Sequence, residues 1–253
     1  MTRVLRTDEA TERATGLGLA RDALRRGRLV VLPTDTVYGV AADAFSPEAV
    51  RALLAAKGRG PDVPVPVLVG SWQTVDGLVA RRPPGLTALV EAFWPGALTV
   101  VVPAAPTLAW DLGETRGTVA LRMPLHPVTL DLLAETGPLA VSSANRHGEP
   151  TAQTADEAVD ALGDAVAVAL DAGVLDGQAS TVVDVSATEV GGPARLLRRG
   201  GVPADDLTEV LAAAGVRLVD PAHDDDGPDD DATAVPDPAA DDAEPAEPDG
   251  PRP

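Results

Sequence analysis

Hydroxyls, amides and guanidiniums gather at four places in this chain, with few carboxylates among them. The first is Thr34, Asp35, Thr36 and Tyr38 in "LPTDTVYGVAADAF" (32–45), where the only tyrosine of the sequence follows the strand-like run Leu29 to Leu32. The second is "AAKGRG", with Lys57 and Arg59 where a helical pattern gives way to glycines. The third joins Arg122 in "LRMP" with Ser142, Ser143 and Asn145 in "SSAN". The fourth is "QASTVVDV", with Ser180 and Thr181, followed by "ARLLRRGG", with Arg195, Arg198 and Arg199. Cations offset the charge of a phosphate or carboxylate and hydroxyls orient it, so this inventory suits an anion site. Lys57 is the single lysine beside nineteen arginines. A compact ammonium approaches an anion in ways that a planar guanidinium cannot.

Each cluster also has a purely structural use. Thr and Ser at loop starts bond their own backbone. Lys57 and Arg59 suit the negative end of a helix dipole. Arginines 195, 198 and 199 suit a solvated strand edge. Absent motifs narrow the chemistry. There is no G-x-x-x-x-G-K-[ST] and no G-x-G-x-x-G after a strand. The histidines, at 126, 147 and 223, have no metal-ligand spacing, and no Ser-His-Asp set can be argued from sequence order.

The elements that must position these groups are legible from periodicity. Residues 14–27 space Leu17, Ala20, Ala23 and Leu24 as a helix ending at Gly27, and a strand follows over 28–32. The polar stretch after it reads as a strand-to-helix loop; loops at the carboxyl ends of strands in open α/β sheets are where ligands bind. Ser46 and Pro47 open a helix that runs to Ala56. A strand is predicted over 65–69 and helices around 72–80 and 84–93. Strands follow at 97–104 and 117–124, a helix at 126–137, and a strand in "PLAVSSAN". Thr154 and Glu157 form a capping box for a helix over 154–163. Strands at 166–170, 180–185 and 194–198 and a helix at 203–214 complete the pattern. The expected fold is α/β, a single domain with a twisted, mixed β-sheet flanked by helices.

Composition sets the outer limits. From Asp220 onward there are 13 acidic residues and one arginine, net −12, against −7 for residues 1–219. That segment is too polar and proline-rich to bury a core, so the expectation is a domain over 1–219 and a disordered acidic tail over 220–253. Without cysteine there are no disulfides and no thiolate metal sites. No apolar run approaches membrane-spanning length, and the N-terminus lacks the apolar stretch of a signal peptide. A cytoplasmic protein with no membrane association is expected. The residues by themselves support an anion- or nucleotide-binding α/β protein.

Taken together, the clusters resemble the YrdC-like family of threonylcarbamoyl-adenylate synthases, in its short single-domain form. "LPTDTVYGVAADAF" is similar to the family's P-T-[ED]-T-V-Y-G-L block, "AAKGRG" to its Lys-x-Arg element and "FWPGALTVVV" to its W-P-G-P-L-T segment. "TVALRMPLHP", "SSAN", "STVVDV" and "ARLLRRGG" resemble further blocks, in family order over roughly residues 15 to 214. The resemblance implies synthesis of threonylcarbamoyl-AMP from L-threonine, bicarbonate and ATP, with release of pyrophosphate. A downstream tRNA threonylcarbamoyl transferase would then modify the adenosine next to the anticodon. It leaves room for direct contact with tRNA, and implies magnesium carried on the ATP phosphates.

Carried over by position, Thr34, Thr36 and Tyr38 would line the threonine pocket, with Arg122 clamping the threonine carboxylate and Ser142 and Ser180 beside it. Lys57 and Arg59 would be catalytic and face the phosphates and the carboxylate intermediate. Ser143, Asn145, Thr151 and Arg198 would reach the nucleotide, with Thr118 a further nucleotide contact. Two departures stand out: Val63 and Leu68 fall where the family often has Asn and His. The rival readings are a non-catalytic RNA-binding module of the same fold, a degenerate scaffold, and a relative of the YrdC-like domains in hydrogenase-maturation proteins. The last carries zinc-finger and acylphosphatase-like domains for which this cysteine-free chain has no room.

Overall fold

The computed structural model of the chain describes residues 2–60 and 62–221. In chain order the elements are β1 (Arg3–Arg6), α1 (Ala10–Arg25), β2 (Leu29–Leu32), β3 (Gly39–Asp43), α2 (Pro47–Lys57), β4 (Val67–Leu68), α3 (Trp72–Leu78), α4 (Leu86–Phe93) and β5 (Leu98–Pro103). They continue as β6 (Thr118–Arg122), α5 (Pro127–Thr136), β7 (Leu139–Ser143), α6 (Ala155–Leu162), β8 (Val166–Asp171), β9 (Thr181–Asp184), β10 (Ala194–Arg198), α7 (Ala204–Ala213) and β11 (Leu218–Val219). Among the described residues the strands form one mixed sheet in the order β1-β8-β2-β3-β7-β4-β6-β5-β9-β10-β11. The acidic segment from residue 222 onward lies outside the described residues. Asp220, where the tail was expected to begin, pairs with Arg199.

Local chemistry fixes the helix ends. The Ser46 hydroxyl accepts the Ala49 N–H, Pro47 occupies the first helical turn, and Gly58 closes α2 with φ of 68°. Substituting such a capping hydroxyl costs about 1 kcal/mol. Thr154 accepts the Glu157 N–H at 3.2 Å, whereas Glu157 reaches back to the N–H of Gln153 rather than to that of Thr154. The expected box therefore forms one residue wide.

Two differences from the sequence expectation bear on the site. The stretch after β2 is not a strand-to-helix loop: it turns through 33–38 and returns as β3, antiparallel to β2 with Leu32 opposite Gly39. The apolar run "GVAAD" becomes β3 by pairing on both sides, with β2 and β7, which overrides the helix preference of its alanines. The edge strands β1 and β11 were also missed, being too short to show a period.

Alternation along the strands sorts the side chains onto two faces. One face, with Val31, Val40, Val67, Val100, Leu121 and Val183, packs against helices α2, α3, α4, α6 and α7 through residues such as Leu53, Leu78, Leu89, Ala158 and Leu211. The other, with Val30, Leu32, Ala41, Val141 and Val168, packs against α1 and α5. That second core draws no residue from β5, β6, β9 or β10. Half of this face is therefore left without a covering helix, and there the polar clusters meet.

Candidate functional site

A cavity of about 170 Å³ opens over the uncovered half-face. Its floor is the alternate set of the same strands: Thr99 and Val101 of β5, Ala120 and Arg122 of β6, Val182 of β9 and Arg198 of β10. Leu68, Val141 and Gly39 extend it toward the sheet centre. Gly39 is required there, since a Cβ at this position would lie 2.6 Å from a Val141 methyl.

Of the thirteen expected site residues, the cavity gathers Arg59, Thr118, Arg122, Ser142, Ser143, Thr151, Ser180 and Arg198. Thr34, Thr36, Tyr38, Lys57 and Asn145 do not line it; each is buried and bonded to protein. The first three belong to the turn before β3, bent at 35–37, where their hydroxyls are taken up by Val37 O, Thr34, Arg122 and Gly173 O. From this stretch only Val37 and Gly39 line the cavity.

These buried residues form two supports. In the first, the Thr34 hydroxyl donates to Val37 O at 2.7 Å and Thr36 donates to Thr34 at 2.9 Å. Thr36 is thereby free to accept from Arg122 at 2.9 Å. Tyr38 is fully buried; its hydroxyl donates to Gly173 O at 2.7 Å and accepts the Ala172 N–H at 3.0 Å. Burial, and then the Asp171 charge beside it, pushes this phenol up to about 12. Tyr38 thus ties the 34–38 turn to the segment after β8, which crosses it so closely that a Cβ at Gly177 would lie 2.2 Å from Thr36 O.

The second support is Lys57. Its ammonium is wholly buried at the end of α2 and donates to Ser143 O at 2.6 Å and Asn145 O at 2.7 Å, with Asn145 Oδ1 at 3.1 Å and Ser143 Oγ at 3.3 Å. Burial, and then the charge of Arg59, pushes the amine down to about 7. The surrounding oxygens act in the opposite sense, since three donors are needed to satisfy them. Asn145 in turn donates to Glu149 O at 2.5 Å. Lys57 is a cross-tie that shapes the "SSAN" segment, of which Ser143 reaches the cavity.

Arg122 is 6% exposed and held on three sides. Nε donates to Gly96 O at 3.0 Å, one terminal nitrogen to Thr36 Oγ1, and the other to Asp35 Oδ1 at 2.7 Å. Burial pushes its pKa down, the Asp35 charge opposes this, and the nearby Arg198 adds to the lowering. Arg198 holds the end of β9 by donating to Ser180 O at 2.8 Å and Ser180 Oγ at 3.1 Å, and Ser180 and Thr99 share a 2.9 Å hydroxyl contact. Three guanidiniums therefore line a cavity whose walls contain hydroxyls and no carboxylate.

Asp35 stands in the first sequence cluster without an assigned role, and Thr99 in none of the clusters. Thr99 had a signal, a lone hydroxyl at an alternate position of the apolar strand "LTVVVP". Val63 and Leu68 both line the cavity, so the departures from the family pattern lie on its wall. Among the described residues no cluster of three or more His, Cys, Asp or Glu could hold a metal ion.

A family model, Sua5/YciO/YrdC, described as "Telomere recombination", matches residues 22–200. The chain is 52% identical over 219 residues to a Mycobacterium tuberculosis protein provisionally named threonylcarbamoyl-AMP synthase, covering 86% of this chain and 99% of the relative. It is 34% identical over 230 residues to the Bacillus subtilis threonylcarbamoyl-AMP synthase, 87% of this chain and 61% of that one. The crystal structure of Pyrococcus abyssi Sua5 complexed with L-threonine superposes with a TM-score of 0.74 at 31% identity, over 87% of this chain and 62% of that one.

Proposed function

The chain belongs to the Sua5/YciO/YrdC family, and on that premise we propose that it is a nucleotidyltransferase that makes threonylcarbamoyl-AMP and pyrophosphate from L-threonine, bicarbonate and ATP. The observation that carries the reading is the cavity lined by Arg59, Arg122 and Arg198 together with the hydroxyls of Ser142, Ser143, Thr151 and Ser180. A carbamate and a triphosphate repel each other. Fixed cations that hold both without reorganising are what such a reaction requires.

In the proposed sequence the threonine amine attacks carbon dioxide derived from bicarbonate, forming a C–N bond and releasing a proton. The resulting carbamate oxygen attacks the α-phosphorus, and the bond to the bridging oxygen breaks as pyrophosphate leaves. Arg122 has one N–H left on each terminal nitrogen, which suits the amino acid's carboxylate. Arg59 and Arg198 suit the phosphates, with Ser143, Thr151 and Thr118 toward the nucleotide. Lys57 acts through the position it gives Ser143 and Asn145 rather than by touching substrate. Magnesium would arrive on the phosphate oxygens of ATP, since the cavity wall offers it no carboxylate.

The product would pass to a tRNA threonylcarbamoyl transferase, and direct contact with tRNA is part of the same proposal. No helix among the described residues is long and apolar enough to cross a membrane; we place the activity in the cytoplasm. The test is pyrophosphate release from ATP that requires both threonine and bicarbonate. Release without threonine, or salt-sensitive RNA binding with no turnover, would favour a different function.

A further inference from the structure

One cavity has to take the single carboxylate of an amino acid at one end and a polyanionic nucleotide at the other, and both ends carry arginine. The carboxylate of Asp35 lies behind the Arg122 guanidinium. Its Oδ1 accepts from Arg122 at 2.7 Å and from the Leu125 N–H at 2.8 Å. The side chain is 14% exposed, against 8% for that of Arg122. Asp35 does not line the cavity, whereas Arg122 does. A carboxylate fixed beside a buried guanidinium weakens its pull on any other carboxylate, so maximal affinity for an amino acid cannot be the reason for placing one there.

We propose that Asp35 sets the charge of the amino-acid end of the cavity, so that Arg122 accepts a carboxylate but rejects phosphates. The inference rests on the reading of Arg122 as the carboxylate clamp. Repulsion from Asp35 grows with the charge a ligand brings. A single carboxylate meets it once and is compensated by the two remaining Arg122 N–H groups. A pyrophosphate or triphosphate group meets it several times over. With Asp35 neutral, Arg122 would be a buried, fully charged fork next to Arg198, which is a good phosphate site. Phosphate would then occupy the place of the amino acid. Asp35 thus acts through Arg122 as a positioning and selectivity residue.

The experiment is calorimetric binding of L-threonine with and without saturating inorganic pyrophosphate, to the full chain and to Asp35→Asn and Asp35→Glu. Asparagine keeps an oxygen for both N–H donors but removes the charge; glutamate keeps the charge. In the parent, pyrophosphate should leave the threonine Kd nearly unchanged, and acetate, a monoanion, should compete with threonine. In Asp35→Asn, pyrophosphate should raise the apparent threonine Kd by about 10-fold or more, equivalent to about 1.4 kcal/mol. Asp35→Glu should restore the parent pattern. A merely structural Asp35 would change the melting temperature without creating this competition. A folded Asp35→Asn protein whose threonine binding ignores pyrophosphate overturns the proposal. So does displacement of threonine from the parent by pyrophosphate, which needs no variant. A parent that binds pyrophosphate but not threonine contradicts the functional reading itself.

Discussion

Replacing Lys57 by methionine separates a cross-tie from a group that touches substrate. Methionine is unbranched and nearly fills the lysine volume but offers no donor. Two buried backbone carbonyls, those of Ser143 and Asn145, lose their partners at 2.6 and 2.7 Å, and Asn145 Oδ1 loses one at 3.1 Å. Leaving two buried acceptors unpaired costs about 2–4 kcal/mol together. Relief of the ammonium's own desolvation is the opposing effect and keeps the sum at the lower end. In a domain of this size that corresponds to a fall in Tm of roughly 5–10 °C. Ser143 lines the cavity, so its displacement carries into the site; a misplacement of about 1 Å there lowers turnover on the order of 100-fold. Lys57→Arg keeps the charge but overfills the cage, with an expected loss of about 1–3 kcal/mol. Thermal unfolding followed by circular dichroism and pyrophosphate release on the same preparation supply both readouts. A Lys57→Met protein that melts with the parent refutes the cross-tie. If that protein is also inactive, the ammonium meets the substrates directly.

Three further predictions concern Tyr38 and Arg122. The phenol of Tyr38 is raised to about 12, so its contribution to stability is complete below the unfolded value near 10 and is lost as pH climbs from 10 toward 12. As the only tyrosine, it can be followed by phenolate absorbance. Ionisation should coincide with alkaline unfolding seen by circular dichroism, and a transition near pH 10 in a folded protein would contradict the burial argument. Arg122→Lys should raise the threonine requirement by about 10–100-fold and that for ATP much less, because an ammonium cannot keep three fixed contacts and also present a fork. Arg122→Ala should in addition destabilise the fold by about 1–3 kcal/mol, since Asp35, 14% exposed, would keep only the Leu125 N–H as its partner. Both follow from substrate titrations and melting curves, and equal weakening toward both substrates would make Arg122 a shared structural residue.

The legible and illegible parts of this protein differ for physical reasons. Arg59, Arg122, Ser180 and Arg198 could be picked out because charges and hydroxyls at strand and helix ends are conspicuous, and they do meet in one cavity. The helices were legible wherever a cap marked the start, as Ser46 does for α2. The facing of a side chain was not. Thr34, Thr36 and Tyr38 have the polarity of binding residues, but in the turn before β3 their hydroxyls bond Val37 O, Thr34 and Gly173 O, and none of the three lines the cavity. Seeing this required knowing that Gly39 begins a strand. Nor does sequence distance reveal that Lys57 ends beneath Ser143 and Asn145, some 86 to 88 residues on. Asp35 was visible as a charge, but its pairing with Arg122 depends on β2 and β6 belonging to the same sheet.

The most direct test of the central claim is to supply isotope-labelled bicarbonate with ATP and L-threonine and to analyse the nucleotide product by mass spectrometry. The account predicts threonylcarbamoyl-AMP carrying one labelled carbon, with one pyrophosphate released per product and neither formed when threonine is omitted. Pyrophosphate release with an unlabelled adenylate, or a labelled product that forms equally well without threonine, would contradict it.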